Sequence, residues 1–167
     1  MSRLVEFYRG AAADSEGRTL ANLWAFSDDE MESVHDFIQW LFPLREPSGF
    51  NPDAPLVSEA DVVAFRDDPM LRAHLLRSFD RFLAFLGLGR EGGRVVERPD
   101  YARKRSILLH PNHNWLRITR VLASTRMLGL PDASRAFLDF LVARRDAGTI
   151  RVAPETFRYW DRAASGD

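Results

Sequence analysis

The sequence contains no cysteine. Without a thiol the chain has no disulfide, no thiolate metal ligand and no cysteine nucleophile. It also has no apolar run that approaches the roughly 18 residues of a membrane-spanning helix. Its first residues, MSRLVEFYRGAAADSEG, lack the apolar segment of a signal peptide. We therefore expect a soluble protein without a membrane span, located in the cytoplasm.

The chain also has no excess of positive or negative charge. The 23 basic and 24 acidic side chains give a net charge of -1, so no global field attracts the chain to nucleic acid or to anionic lipid. Hydrophobic residues make up 46% of the 167 residues and charged residues 28%. This balance is that of a globular protein with a real core. We expect residues 1–167 to form one domain.

Runs that alternate apolar and polar residues are not apparent, whereas short stretches with a helical period recur between Gly, Pro, Ser and Asp residues. This pattern predicts an all-α fold, a single compact bundle-like domain of about seven to nine helices. Ser27 and Glu30 have the spacing of a capping box and predict a helix over residues 28–42. A short C-terminal helix, residues 155–160, is expected to dock onto the rest through its aromatic side chains.

One long loop is expected within this helical pattern. Residues 43–57, PLREPSGFNPDAPLV, contain four prolines and leave no room for regular structure. Loops of this length are usually functional or packed over a core. The apolar side chains of Phe50 and Leu56 favour packing.

Two short motifs are set aside. Residues 87–92, GLGREG, match the dinucleotide-binding pattern formally, but that pattern requires a preceding strand, and here a helix is predicted. We interpret the segment as a helix stop followed by a flexible turn. Residues 98–105, RPDYARKR, form a short basic run that is typical of a solvated face on a neutral protein. We expect neither a cofactor nor a nucleic-acid partner.

Histidines raise the question of a metal site. His110 and His113 lie three residues apart, a spacing that can bind a metal on a helical turn, and His35 could supply a third ligand. Pro111 interrupts the local backbone, and no carboxylate stands at ligand spacing. Structural histidines, hydrogen-bonded to the protein, are therefore expected instead of a metal centre.

Residues 34–46, VHDFIQWLFPLRE, place polar side chains in an otherwise core-like segment. On a continuous helix His35 and Gln39 lie one turn apart, at the edge of an apolar arc that Trp40 extends. Both should be half-buried, where a polar group without a partner is costly. Either these groups satisfy one another or they hold something.

The predicted helix over residues 113–128 carries a polar row between two apolar patches. His113, Arg117, Arg120 and Ser124 follow one another at spacings of four, three and four residues. Like charges on one helical face repel one another, so an anionic group should compensate them. We hypothesise that this row meets the segment 34–46.

Three interpretations of the row remain open. In the first, Arg117 and Arg120 pair with carboxylates of the protein, such as Glu32, Asp36 or Glu46, and the domain is a structural interaction module. In the second, the two guanidinium groups hold an external carboxylate or phosphate, with His113 and Gln39 as hydrogen-bonding partners. In the third, His35 or His113 performs acid–base chemistry in a hydrolase, although no nucleophile is visible at a matching spacing.

Two blocks of the sequence resemble a known family. HDFIQWLFPLRE (35–46) and HNWLRITRVLASTRMLGL (113–130) resemble the signature blocks of the conserved N-terminal domain of the opioid growth factor receptor family. The opening LVEFYRG and the proline-bearing loop with the two helices after it are similar as well. The resemblance spans about residues 4–142. The compact, Arg-rich sequence resembles stand-alone bacterial or fungal members more than the animal members with their long extensions.

The resemblance implies a receptor rather than an enzyme. Animal members of the family are nuclear-associated receptors that bind the enkephalin pentapeptide, so nuclear association is implied if the source is eukaryotic. A peptide carboxylate would suit the Arg row, and Trp40 or Trp115 would supply an aromatic wall. We therefore expect a non-enzymatic domain that binds a small anionic molecule or a peptide terminus, with a protein partner also possible. The expected ligand-binding residues are His35, Gln39, Trp40, Arg45, His113, Arg117, Arg120 and Ser124.

Overall fold

The computed structural model describes all 167 residues and is mostly helical, which confirms the predicted fold class. Ten α-helices are present: α1 (Arg3–Tyr8), α2 (Leu20–Trp24), α3 (Asp28–Ser33), α4 (Ile38–Leu41), α5 (Glu59–Asp67), α6 (Pro69–Phe85), α7 (Tyr101–Lys104), α8 (Asn114–Met127), α9 (Pro131–Asp146) and α10 (Pro154–Ser165). Strands β1 (Leu88–Glu91) and β2 (Arg94–Glu97) form an antiparallel hairpin, and Arg105–Leu108 is a 3₁₀ helix. None of the helices combines the length and the hydrophobicity that a membrane-spanning segment requires.

The chain divides into two compact units, Met1–Ser78 and Phe79–Asp167, with the boundary inside α6. We call them the N-terminal and the C-terminal unit. Large side chains are fully buried in both. Those of the N-terminal unit include Phe7, Tyr8, Phe37, Trp40, Phe42 and Phe65, and those of the C-terminal unit include Phe79, Phe82, Phe137 and Trp160.

Helices α3, α8 and α10 begin within one residue of the starts that the sequence predicts. Ser27 accepts a hydrogen bond from the amide of Glu30, whose carboxylate accepts from the amide of Ser27, so the predicted capping box is confirmed. Ser58 and Asp61 form a second box at the start of α5. In both boxes the side chains accept hydrogen bonds from backbone amides at the start of the helix, which have no acceptor within the helix.

The predicted helix over residues 28–42 is wrong, because it is interrupted. Helix α3 ends at Ser33, Val34 is extended with φ -87° and ψ 129°, and α4 begins only at Ile38. Side chains take the carbonyl groups that a continuous helix would use: Gln39 Nε2 donates to the carbonyl of His35 at 3.2 Å. The side-chain amide of Asn51 donates to the carbonyl of Asp36 at 2.7 Å. This break raises the helix count above the predicted range.

The loop over residues 43–57 is confirmed, but its expected packing is wrong. Its only ladder contact is an isolated bridge between Ser48 and Asn51. The buried side-chain amide of Asn51 connects the loop to the carbonyl of Asp36, whereas the large apolar side chains of Phe50 and Leu56 are exposed. Phe50 is 78% exposed and Leu56 50% exposed.

The segment interpreted as a flexible turn is instead a β-hairpin. Glu91 pairs with Arg94, so the turn consists of Gly92 and Gly93, which have φ of 56° and 75°. Two central residues with positive φ are the requirement of a type I′ turn, whose twist matches that of the flanking strands. Because a helix precedes the segment and the segment itself forms β1 and the hairpin turn, it does not form the strand–turn–helix of a dinucleotide site.

A buried polar chain supports the N-terminal unit. The indole of Trp24 donates to Ser78 Oγ at 2.9 Å, and Ser78 lies 3.2 Å from the Tyr8 hydroxyl, which donates to the carbonyl of Leu41. Since Trp24 can only donate and the carbonyl can only accept, Ser78 must donate to Tyr8. Burial raises the pKa of Tyr8, so its hydroxyl keeps its proton.

In the C-terminal unit, α8, α9 and α10 pack against one another. Trp160 is fully buried, and its indole donates to the carbonyl of Trp115 at 3.1 Å. Phe157 packs edge to face on Trp160, with ring centroids 5.0 Å apart. Arg126 reaches the end of α10, where its Nε donates to the carbonyl of Ala163 at 2.9 Å. Helix α10 is therefore longer than expected and is attached along its length.

Candidate functional site

The first group of predicted site residues belongs to the N-terminal unit. His35 is exposed, in the irregular segment between α3 and α4, whereas a continuous helix would have left it half-buried. Gln39 is only 4% exposed. Its Nε2 donates to the carbonyl of His35, and its Oε1 is buried without a hydrogen-bond partner. The structure thus joins these two residues through the backbone of His35 and not through its imidazole.

Trp40 and Arg45 have different surroundings. Trp40 is fully buried, with its ring 5.1 Å from that of Phe7 and with the guanidinium of Arg3 lying 4.9 Å above it. Its indole nitrogen has no hydrogen-bond partner. Arg45 lies at the surface and forms an ion pair with Glu59 at 2.7 Å. Trp40 is therefore a core residue of this unit, and Arg45 is held by a neighbouring carboxylate.

The second group lies on α8, in the C-terminal unit. His113 is exposed and precedes the helix as its N-cap residue, without a side-chain capping bond. Arg117 is 6% exposed, Arg120 is partly exposed, and Ser124 is fully buried. The residues are successive neighbours on one helical face, so the row runs from the surface at His113 to the interior at Ser124.

The charged side chains of α8 are all basic. Residues 114–127 include Arg117, Arg120 and Arg126 and no acidic residue. Arg117 Nη1 lies 3.4 Å from Oδ1 of Asn114, a neutral acceptor at the long end of the hydrogen-bonding range. A guanidinium that is nine-tenths buried requires a nearby anion, because removing it from water is costly.

Polar and apolar groups alternate around the row. The hydroxyl of Ser124 is buried without a hydrogen-bond partner, and so is that of the next residue, Thr125. Leu116 is 66% exposed and lies one turn from both His113 and Arg120. The face of α8 therefore combines cationic groups with an exposed apolar side chain. The hypothesis that this face meets residues 34–46 stays a prediction.

Arginines elsewhere in each unit pair with carboxylates. Such pairs include Arg9 with Asp68 at 2.9 Å, Arg18 with Asp36 at 2.9 Å, Arg45 with Glu59 at 2.7 Å, Arg90 with Asp80 at 2.5 Å and Arg144 with Glu97 at 3.2 Å. Internal pairing is thus a common state of arginine in this protein. No group of three or more His, Asp or Glu side chains is arranged to hold a metal ion.

A groove between β2 and α9 was missed by the sequence interpretation, because the hairpin itself was missed. It has a volume of about 440 Å³ and is lined by residues 93–97 together with one face of α9. The Gly92–Gly93 pair between two short polar and apolar stretches was the sequence signal that could have revealed it.

Comparison with known proteins gives the family of the chain. The family described as the opioid growth factor receptor (OGFr) conserved region matches residues 6–153. The human opioid growth factor receptor is 35% identical over 135 residues, which are 77% of this chain and 20% of the relative. Opioid growth factor receptor-like protein 1 of Xenopus tropicalis is 32% identical over 147 residues, 84% of this chain and 28% of the relative.

The match therefore covers less than a third of the length of these relatives. No solved structure matches the chain. Both sequence blocks that carried the resemblance, residues 35–46 and 113–130, lie inside the matched range, so the predicted family is confirmed. The chain belongs to the opioid growth factor receptor conserved-region family.

Proposed function

We propose that this domain is a non-enzymatic binding module that holds an anionic group at the polar row of α8. The ligand is a small carboxylate or phosphate, or the carboxyl terminus of a peptide. The observation that carries the proposal is the pair Arg117 and Arg120, one turn apart on a helix without an acidic residue, with Arg117 only 6% exposed. Two guanidinium groups at this spacing can bind one carboxylate through charge-assisted hydrogen bonds.

A peptide terminus suits the surroundings of the row. Leu116 is 66% exposed beside Arg120, and His113 lies one turn before it at the surface. An apolar side chain next to a cation matches a terminal residue that has an apolar side chain and a free carboxylate. Relatives of the chain are named opioid growth factor receptor. The enkephalin pentapeptide, which the family resemblance implies as a ligand, ends in such a residue.

A second function is favoured by the paired arginines described above. If Arg117 and Arg120 pair with carboxylates of the protein as Arg18 and Arg90 do, the row stabilises the fold. The domain would then act as an interaction module whose surface binds another protein. In that case an added anion would compete with an internal carboxylate and bind weakly.

The test is a calorimetric titration of the full chain with the enkephalin pentapeptide, as the free acid and as the C-terminal amide, and with inorganic phosphate. The variants are Arg120→Gln and the matched control Arg158→Gln, an exposed arginine on α10. Loss of charge-assisted hydrogen bonds worth about 1.5 to 3 kcal/mol weakens binding by roughly tenfold to a hundredfold.

We expect the free acid or phosphate to bind the parent and the Arg158→Gln variant equally, and Arg120→Gln at least about tenfold more weakly. The amide should lose affinity in the parent by a similar factor. Absence of binding to every probe would contradict the proposal. Binding that is unchanged in Arg120→Gln would place the anion elsewhere, and the interaction module would become the leading function.

A further inference from the structure

Some backbone N–H and C=O groups of β2 do not pair with β1 and point away from the hairpin. In a two-residue hairpin the residues that flank the turn, Glu91 and Arg94, exchange both hydrogen bonds, and every second pair does the same. The amide of Arg98 donates to the carbonyl of Gly87 at 2.8 Å, which fits this alternation. Val95 and Glu97 therefore belong to the other pairs, and their N–H and C=O groups point away from β1.

These groups border the groove between β2 and α9. Five consecutive residues, 93–97, line it, and because successive side chains of a strand point to opposite faces, the groove must run along the strand edge. No residue of β1 lines it. The opposite wall is one face of α9, with the small side chains Ala136 and Ala143 around the ring of Phe140.

Arg144 and Tyr101 both pack on the ring of Phe140, and of these two Arg144 lines the groove. Arg144 binds the Glu97 carboxylate at 3.2 Å through Nη2 and lies 5.0 Å from the Phe140 ring, yet its Nε is buried without a hydrogen-bond partner. Tyr101 packs edge to face on Phe140 at 5.9 Å, and its hydroxyl is likewise buried without a partner. Arg144 therefore joins α9 to β2 at this end of the groove.

The charge of the lining limits what the partner can be. Arg94, Arg135 and Arg144 are balanced by Glu97, Asp132 and Asp139. The groove therefore has no net charge. Arg135 and Asp139 pair with one another at 3.0 Å, which leaves small and apolar side chains along the middle of the wall. An occupant with little net charge and with backbone hydrogen-bonding groups fits this lining.

We propose that an extended, weakly charged segment of a partner protein adds to β2 as a third strand in this groove. Its backbone pairs with the outward N–H and C=O groups of Val95 and Glu97, which are about 6.8 Å apart along the strand. A small or apolar side chain of the segment packs against Ala136 and Phe140. This surface shares no residue with the α8 row, so neither proposal depends on the other.

Glu97 offers a matched pair of variants for the test. Glu97→Ala and Glu97→Pro both remove the carboxylate that binds Arg144, but only the proline variant removes the outward N–H. Proline is tolerated on an edge strand where the N–H points away from the neighbouring strand. The probe is a phage-displayed library of linear peptides, selected on the full chain, and the affinity of each selected peptide is then measured for the parent and both variants.

We expect selected peptides to bind the parent and Glu97→Ala with similar affinity, and Glu97→Pro about tenfold or more weakly. They should also slow hydrogen exchange at the amides of Val95 and Glu97 in the parent, a readout that does not depend on how the proline variant folds. The proposal is overturned if no peptide is selected or if neither amide is protected. It is also overturned if the edge pairs with a second copy, which a dimer in solution that Glu97→Pro dissociates would reveal.

Discussion

The side-chain amide of Gln39 donates a hydrogen bond to the main-chain carbonyl of His35, 3.2 Å away, at the place where a continuous helix would have used the main-chain amide of Gln39. The side-chain amide of Asn51 donates to the next main-chain carbonyl, that of Asp36. The interruption between α3 and α4 is thus held by side-chain amides, and it moves His35 from a helical face into an exposed segment.

Asn51→Ala should destabilise the N-terminal unit by about 1 to 3 kcal/mol, because it leaves the carbonyl of Asp36 without this donor in a partly buried place. Urea unfolding measures the change. Asp53→Ala, at an exposed position of the same loop, is the control and should stay within about 0.5 kcal/mol of the parent. Equal effects of the two substitutions would show that the Asn51 contact does not hold the break.

Tyr8→Phe should lower the free energy of unfolding by about 1 to 3 kcal/mol. The substitution removes the central hydroxyl of the buried chain and leaves the Ser78 hydroxyl without its acceptor and the Leu41 carbonyl without its donor. Ser78→Ala breaks the same chain. The double variant should therefore lose less than the sum of the two single losses, which a double-mutant cycle by urea unfolding measures. Additive losses would contradict a connected chain.

Arg126→Met should destabilise α10 by about 1 to 2 kcal/mol, because it removes the donor to the Ala163 carbonyl and a positive charge at the C-terminal end of that helix. The side chain is also close to Gly166, where an added Cβ would lie 2.6 Å from Arg126 Nη1. Hydrogen exchange of the α10 amides measures the loss locally. Arg151→Met, at an exposed position before α10, should leave those amides unchanged.

Stability should fall at low pH partly through Asp68. The guanidinium of Arg9, followed by the amide of Met70, holds the pKa of this carboxyl below its usual range. Its contribution is therefore fully present above the ordinary aspartate pKa of about 3.9 and is lost as the pH falls through the lower value of the folded state. Asp68→Asn should flatten the decline in unfolding free energy below about pH 4, measured by urea unfolding at a series of pH values. An unchanged slope would show that Asp68 contributes nothing.

Helix starts were predicted better than helix ends, because the causes of a start are local. The capping box at Ser27 acts within one turn of the chain. The break after Ser33 could not be predicted in the same way. Its donor Asn51 lies fifteen residues beyond the carbonyl that it binds, in a loop without regular structure.

The candidate site was predictable only as a row. Helical spacing alone brings His113, Arg117, Arg120 and Ser124 to one face of α8. Exposure depends on what packs around a residue, and the sequence pattern did not predict that Trp40 would be fully buried or that Phe50 would be 78% exposed. The groove beside β2 required the hairpin, whose two-glycine turn was interpreted as a flexible helix stop.

The binding of an anionic ligand at the α8 row can be observed at the arginines themselves. The most direct measurement is the nuclear magnetic resonance of the arginine Nε–H groups during titration with the enkephalin pentapeptide as the free acid. We predict that the signals of Arg117 and Arg120 shift with saturation, that the signal of Arg158 does not, and that the C-terminal amide causes no comparable shift. Unshifted signals of Arg117 and Arg120, or equal shifts with the acid and the amide, would contradict the binding of a carboxylate at the α8 row.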